Sequence, residues 1–309
     1  MALDAGTGGR LAAVSLGSTG VPRPALWNRS LFVVEGGATL VEHRLVRKRF
    51  RRRWTHAVGA GASPPCVFAN EIYVSTPAGL LRLRPGLGRP VWKAAGDYLA
   101  RPALFDRHIH AVRRDRYGNL TLTAFDRATG EPVADVRLPH QEREGRGGRV
   151  VAGAGLVVVQ LPPPAKRRWC LVKRTVKDGR TTLSDPKMLT LKTQPLVFGN
   201  RLLALDEDSD WVDWSLSRPR PFVLAAKAKR PHLVAGAASP VRFRGGLCFG
   251  SWTMDGSNRE ILWHVQEHRA RKEFRRGVRY GAVRAGGLLL LVRRDGKALH
   301  AVAEERIGP

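Results

Sequence analysis

The chain has 309 residues, 43% of them hydrophobic and 7% aromatic, enough to bury one large core or two ordinary ones, and this excludes global disorder. Its 53 Lys and Arg against 26 Asp and Glu leave a net charge of +27, a field that recruits polyanions or acidic protein surfaces but says nothing about fold. No segment reaches the roughly 18 consecutive apolar residues of a membrane helix, so membrane insertion is not expected.

In chain order, "ALDAGTGGRLAAVSL" at 2–16 reads as a turn leading into a strand over 10–16. Asp4 and the glycines stand where a secretory signal has a basic start and a long apolar stretch, so the cytoplasm is the expected location. "PALWNRSLFVV" from Pro24 then reads as a hairpin: proline, a short apolar stretch with an aromatic three residues on, a turn, and a second apolar stretch. The tract "RKRFRRR" follows, with Arg47, Lys48, Arg49, Arg51, Arg52 and Arg53 around Phe50 and Trp54 next in line. Three readings stand for it: a solvated strand edge whose cations deter aggregation, a contact for phosphates or an acidic partner, or a nuclear-import label.

The hairpin phrase returns as "PCVFANEIYVS" at Pro65, "PALFDRHIHAV" at Pro102, "PLVFGNRLLAL" at Pro195 and "PVRFRGGLCFG" at Pro240. "RVVAGAGLVVV" at Arg149 and "GAVRAGGLLLL" at Gly281 keep the turn and second strand without the proline. The starts at 24, 65, 102, 149, 195, 240 and 281 recur with the period of a four-stranded propeller blade. A second phrase, clearest in "LTAFDRATGEPVADVRL" at 122–138, supplies two further strands joined through Asp126, Thr129 and Gly130. There Asp bonds local amides and Gly supplies positive φ. Leu120, Leu122 and Ala124 alternate with Thr121 and Thr123, a strand period of two.

The expected fold is therefore all-β: one seven-bladed β-propeller domain over 1–309, built of four-stranded antiparallel blades. The last repeat, 279–303, is a strand short, and the N-terminal strand 10–16 is expected to complete it by pairing with 298–303. "AFDRATGEPV", "ALDAGTGG" and the tryptophans Trp54 and Trp92 resemble the quinoprotein-like (PQQ-like) β-propeller repeat family. That resemblance implies the propeller fold, in which some members are quinone-dependent dehydrogenases and others are non-catalytic scaffolds or assembly factors of envelope proteins. The enzymes of the family have, as a rule, eight blades, often adjacent cysteines, and calcium ligands of the carboxylate and amide type. Here Cys66, Cys170 and Cys248 are far apart and no such ligand set is apparent, so a non-catalytic member without cofactor is expected.

Other constellations carry less. His108 and His110 share one strand face, compatible with a metal pair, but no third ligand is evident and two partly buried imidazoles are the alternative. "DEDSD" at 206–210 begins like a calcium loop, yet Trp211 stands where such loops need Gly. "QLPPPAKRRWC" at 160–170 suits docking or an inert connection equally. No nucleophile elbow, phosphate loop or zinc-protease pair is present, so no catalytic, cofactor or metal residue is assigned. In four-stranded blades the a–b and c–d turns share one face of the ring, which gathers the arginines there. The binding residues expected are the six cations of 47–53 with Arg269, Arg271, Lys272, Arg275 and Arg276 of "RARKEFRR". The expected partner is an acidic protein surface or a nucleic acid bound through phosphates, within a hetero-complex. One version is the propeller component of a bacterial system with an AAA ATPase and a von Willebrand A-type protein.

Overall fold

Each repeat folds into its own antiparallel sheet. The computed structural model describes residues 2–3, 10–12, 24–47, 49–87, 89–141, 146, 148–161, 168–191, 195–198, 201–206, 211–215, 222–225, 241–243, 246–249, 252–255, 263–264, 280–285, 288–293 and 299–303. Two short strands, β1 (Ala2–Leu3) and β2 (Arg10–Ala12), pair with each other. The first repeat gives β3 (Ala25–Trp27), β4 (Ser30–Glu35), β5 (Thr39–Val46) and β6 (Arg49–Ala57), in that spatial order. The second gives β7 (Cys66–Phe68), β8 (Glu71–Thr76), β9 (Gly79–Leu83) and β10 (Trp92–Ala94), likewise sequential.

In the third, β11 (Asp97–Tyr98) and β12 (Ala103–Phe105) both pair with β13 (His108–Arg114), followed by β14 (Asn119–Asp126) and β15 (Pro132–Gln141). The fourth runs β16 (Arg149–Ala152), β17 (Leu156–Gln160), β18 (Arg168–Lys177) and β19 (Arg180–Leu183), with β20 (Lys187–Thr190) also on β18. The fifth is β21 (Leu196–Phe198), β22 (Arg201–Leu205), β23 (Trp211–Ser215) and β24 (Phe222–Ala225). The sixth is β25 (Val241–Phe243), β26 (Gly246–Phe249), β27 (Trp252–Asp255) and β28 (Trp263–His264). The seventh has three strands among the described residues: β29 (Tyr280–Ala285), β30 (Leu288–Arg293) and β31 (Leu299–Ala303).

The chain forms two compact units, residues 1–4 with 9–189 and residues 5–8 with 190–309. In the first unit, successive sheets pack face to face. Phe32 and Leu40 of the first sheet join Ile72, Val74, Leu81 and Leu83 of the second, and Tyr73 and Leu80 join Tyr98, Ile109, Ala111 and Phe125 of the third. Val112, Leu120 and Leu122 join Val157, Val159 and Val172 of the fourth. A strand covered on both faces has no solvent side, which is why all six residues of β8 are buried. The alternation read in β14 holds only in part for the same reason: Thr121 is half-buried, but Thr123 is buried like Leu122 and Ala124. The edge strand β6 does alternate loosely, and its arginines are exposed.

In the second unit the described backbone repeats the pattern. Phe198 pairs with Arg201 across one turn, Phe243 with Gly246 across the next, and Leu202, Ala204 and Val212 are buried. Of the strand expected to complete the last repeat, the described residues pair with β1: Ala12 of β2 faces Ala2 and Arg10 faces Leu3. Residues 13–16 lie outside the described residues.

Candidate interaction site

The basic tract is the hairpin between β5 and β6, as the reading of a strand edge expected. Arg47 turns the corner at φ 45°, and Val46, Leu45 and Arg44 face Arg49, Phe50 and Arg51. Arg47, Arg49, Arg51, Arg52 and Arg53 are all exposed, and Phe50 is half-buried. Arg52 stands 3.8 Å from the Glu35 carboxylate, which also takes a 2.8 Å contact from His43. No ion pair is formed by Arg47, Arg49, Arg51 or Arg53 among the described residues. Lys48 and the whole run Arg269, Arg271, Lys272, Arg275 and Arg276 lie outside the described residues.

A bulge interrupts this hairpin. Glu42 faces Trp54 while His43 faces Arg52, so Arg53 is an extra residue in β6. In a regular strand, neighbours such as Arg53 and Trp54 would point to opposite faces. The bulge re-aims the strand, and both line one cavity of about 480 Å³. Trp27, Ser30, Glu42 and Arg44 line it from the same sheet, and Asn70, Pro85 and Gly86 from the next. Glu42 is buried, and Ser30 Oγ donates to its Oε1 at 2.6 Å. That is the one hydrogen bond to the Glu42 carboxylate among the described residues.

The corresponding place between the second and third sheets is filled. Glu71 takes the guanidinium of Arg82 in a close ion pair, that of Arg84 at 3.1 Å, and that of Arg127 at 3.7 Å, and Tyr73 donates to it at 2.6 Å. Burial alone would raise its pKa, but the bonds from Tyr73, Arg82 and Arg84 hold the carboxyl below the usual range. Burial, then the bond to Glu71, pushes the Tyr73 hydroxyl well up. Arg82 also donates to the carbonyls of Arg127 and Ala128, and Trp92 Nε1 donates to the Arg127 carbonyl at 3.0 Å.

The turn that reaches across is the one read from "FDRATGEP". Asp126 Oδ1 accepts the amides of Ala128 and Thr129, bonds that keep its carboxyl acidic, and Gly130 has φ +80°. A Cβ on Gly130 would stand 2.7 Å from Trp92 Cδ2, so the indole packs flush on the turn only because Gly is there.

Between the third and fourth sheets, His108 and His110 are both buried. Arg174 donates to His108 Nδ1 at 3.0 Å, which leaves the proton on Nε2 to point at Thr181 Oγ1, 3.3 Å away. Burial, and then the Arg174 charge, lowers both imidazoles, His110 to about 3. Both are core groups, and His108 is tied to Arg174. Trp169 is also core at 2% exposure. Burial raises the thiols of Cys66 and Cys170, the latter to about 12.

Sequence reasoning passed over Trp27, Ser30 and Glu42. The available signals were the aromatic three residues after Pro24 and a lone carboxylate inside the inner strand "TLVEHRLV" of a very basic hairpin.

No protein-family model matches the chain, and no curated protein matches it by sequence. Solved structures do. BamB from Moraxella catarrhalis superposes with a TM-score of 0.53 at 14% identity, over 91% of this chain and 81% of BamB. The computationally designed Ika8 protein gives 0.48 at 11% identity, over 95% of this chain and 99% of that one. A europium-containing methanol dehydrogenase gives 0.44 at 13% identity, over 66% and 51%. BamB is a PQQ-like β-propeller protein. The antiparallel, mostly four-stranded sheets of this chain are consistent with the β-propeller fold of BamB.

Proposed function

We propose that the chain is a non-enzymatic interaction propeller that offers a basic edge to an acidic protein surface. The observation that carries this reading is the β5–β6 hairpin, where exposed Arg47, Arg49, Arg51 and Arg53 stand without carboxylate partners among the described residues. In sequence terms, Arg269, Arg271, Lys272, Arg275 and Arg276 extend the same role. The reading takes the seven repeats as one ring over residues 1–309, its last blade completed by the N-terminal strand 10–16. β2 pairs on one edge only among the described residues, and the last sheet is a strand short there.

Two further observations favour a protein partner without chemistry. Thiols raised by burial are poor nucleophiles at neutral pH. A carboxylate, Glu42, lines the cavity beside the arginines, where a phosphate would be repelled, and single-strand binding wants exposed aromatics whereas Trp169 is core. The expected setting is a cytoplasmic hetero-complex, such as one that joins propellers to an AAA ATPase and a von Willebrand A-type protein.

The test is retention of the wild type and of the triple variant Arg51→Glu, Arg52→Glu, Arg53→Glu on immobilised poly-glutamate and on single-stranded DNA across a salt series. Poly-glutamate is expected to hold the wild type about tenfold better than the variant near 0.1 M salt, with the gap closing as salt rises. Equal retention of both proteins at every ionic strength discards the hairpin as a docking surface. Retention on DNA alone replaces the acidic protein with a nucleic acid.

A further inference from the structure

Three successive sheet junctions of the first unit share one construction. Across its a–b turn, an aromatic residue pairs with a polar one: Trp27 with Ser30, Phe68 with Glu71, Phe105 with His108. At the second junction an arginine of the following sheet stands on that aromatic. The Arg127 guanidinium carbon is 5.8 Å from the Phe68 ring centroid while its Nε approaches Glu71. At the third junction Arg174 does the same, 5.3 Å from the Phe105 centroid and bonded to His108. Twice, then, the fold seats a guanidinium between a ring face and a buried acceptor.

The first junction carries the same fittings in a stronger form. Its aromatic is Trp27, the best of the π faces for a cation. Its acceptor is a carboxylate, Glu42, 7% exposed, whose Oε1 is held by Ser30 and whose Oε2 has no partner among the described residues. The turn of the second sheet that faces it brings Pro85 and Gly86, and the neighbouring Arg84 is turned to Glu71. Here lies the cavity of about 480 Å³, within the roughly 300–1,000 Å³ of ligand sites.

We infer that this cavity receives the guanidinium of an arginine side chain from a partner protein, an arginine flanked by acidic residues. The guanidinium stacks on Trp27 and donates to Glu42. Arg44 and Arg53, also lining the cavity, repel an isolated cation and attract the flanking carboxylates, so the pair selects an arginine within an acidic segment. This inference rests on reading the basic hairpin as a protein-docking edge, and it names the residue that would anchor the partner there.

The test uses the full chain and two acetylated, amidated peptides, Asp-Glu-Arg-Glu-Asp and the same sequence with uncharged citrulline in place of arginine, titrated calorimetrically. The arginine peptide is expected to bind about tenfold more tightly than the citrulline peptide. Glu42→Gln is expected to bring the two within about twofold of each other. Trp27→Leu is expected to weaken the arginine peptide several-fold while leaving the citrulline peptide nearly unchanged. Equal affinity of the two peptides for the wild type overturns the guanidinium site, and if that shared affinity falls with salt the basic docking edge survives. Binding of neither peptide removes both. A preference for arginine that persists undiminished in Glu42→Gln overturns the assignment to this cavity.

Discussion

Two sheet junctions, at Glu71 and at Glu42, differ in what the following sheet contributes, and the difference separates structural from functional charge. At Glu71 the next turn reaches over with Arg127 and Ala128, and the buried carboxylate is satisfied by the buried Arg82, by the more exposed Arg84 and Arg127, and by a tyrosine. At Glu42 the next turn is Pro85 and Gly86, and the buried carboxylate, one serine and two arginines border open space. The charges have also changed strands: across the b–c pair, Tyr73 faces Arg82 where Phe32 faces Glu42. Similar residues thus make a staple in one place and a receptor in the next.

The contrast breaks most visibly by removing each carboxylate. Glu71→Ala strands the buried guanidinium of Arg82 and is expected to cost about 3–5 kcal/mol in urea unfolding. Glu42→Ala loses one hydrogen bond and is expected to cost about 1 kcal/mol. Equal costs would mean that both junctions are structural.

The glycines sharpen the same comparison. Gly130→Ala forces a Cβ onto the Trp92 indole at a positive φ and is expected to cost about 3 kcal/mol. Gly86→Ala meets the φ penalty alone, since nothing lies within 4 Å of the added atom, and is expected to cost about 1–2 kcal/mol by the same unfolding measurement.

The third junction adds a pH signature. His110 is held neutral to about pH 3, whereas an unfolded imidazole takes up its proton near 6.5. The unfolded state therefore binds more protons between these values. The stability contributed is full above about 6.5 and declines as pH falls toward 3, by about 1.4 kcal/mol per unit. His110→Phe places at this position what Phe32 and Tyr73 supply in the two preceding sheets. Relative to wild type it is expected to gain about 2 kcal/mol at pH 5 compared with pH 7.5, read from paired urea curves. Parallel acid sensitivity in both proteins would show that His110 is not the titrating group.

Much of the fold was legible because its signals are local. The prolines before each hairpin, the aromatic three residues later and the Asn, Asp or Gly turns specify strands that need only their neighbours in sequence, and the observed pairing of Trp27 with Ser30 or Phe68 with Glu71 follows that phrase. The Asp126–Gly130 turn was legible for the same reason, since its hydrogen bonds close within five residues. The start of the chain carries a less local signal: a missing strand at one end and a spare one at the other suggested their pairing, and among the described residues β2 pairs with β1. Of the expected binding residues, Arg47, Arg49, Arg51, Arg52 and Arg53 lie on an exposed edge because cations prefer water. Nothing in the tract itself revealed that a bulge turns Arg53 toward a buried Glu42.

By itself, the sequence determined the repeat, the hairpins and the excess of positive charge, all properties that a stretch of about forty residues carries within itself. Only the tertiary structure decided which charges are neutralised. Arg82 and Arg127 stand 45 residues apart and meet because adjacent sheets stack face to face. Whether a buried carboxylate becomes a staple or a receptor depends on what the following sheet's turn places over it, and burial makes that choice energetically large because an unpaired charge away from water is costly.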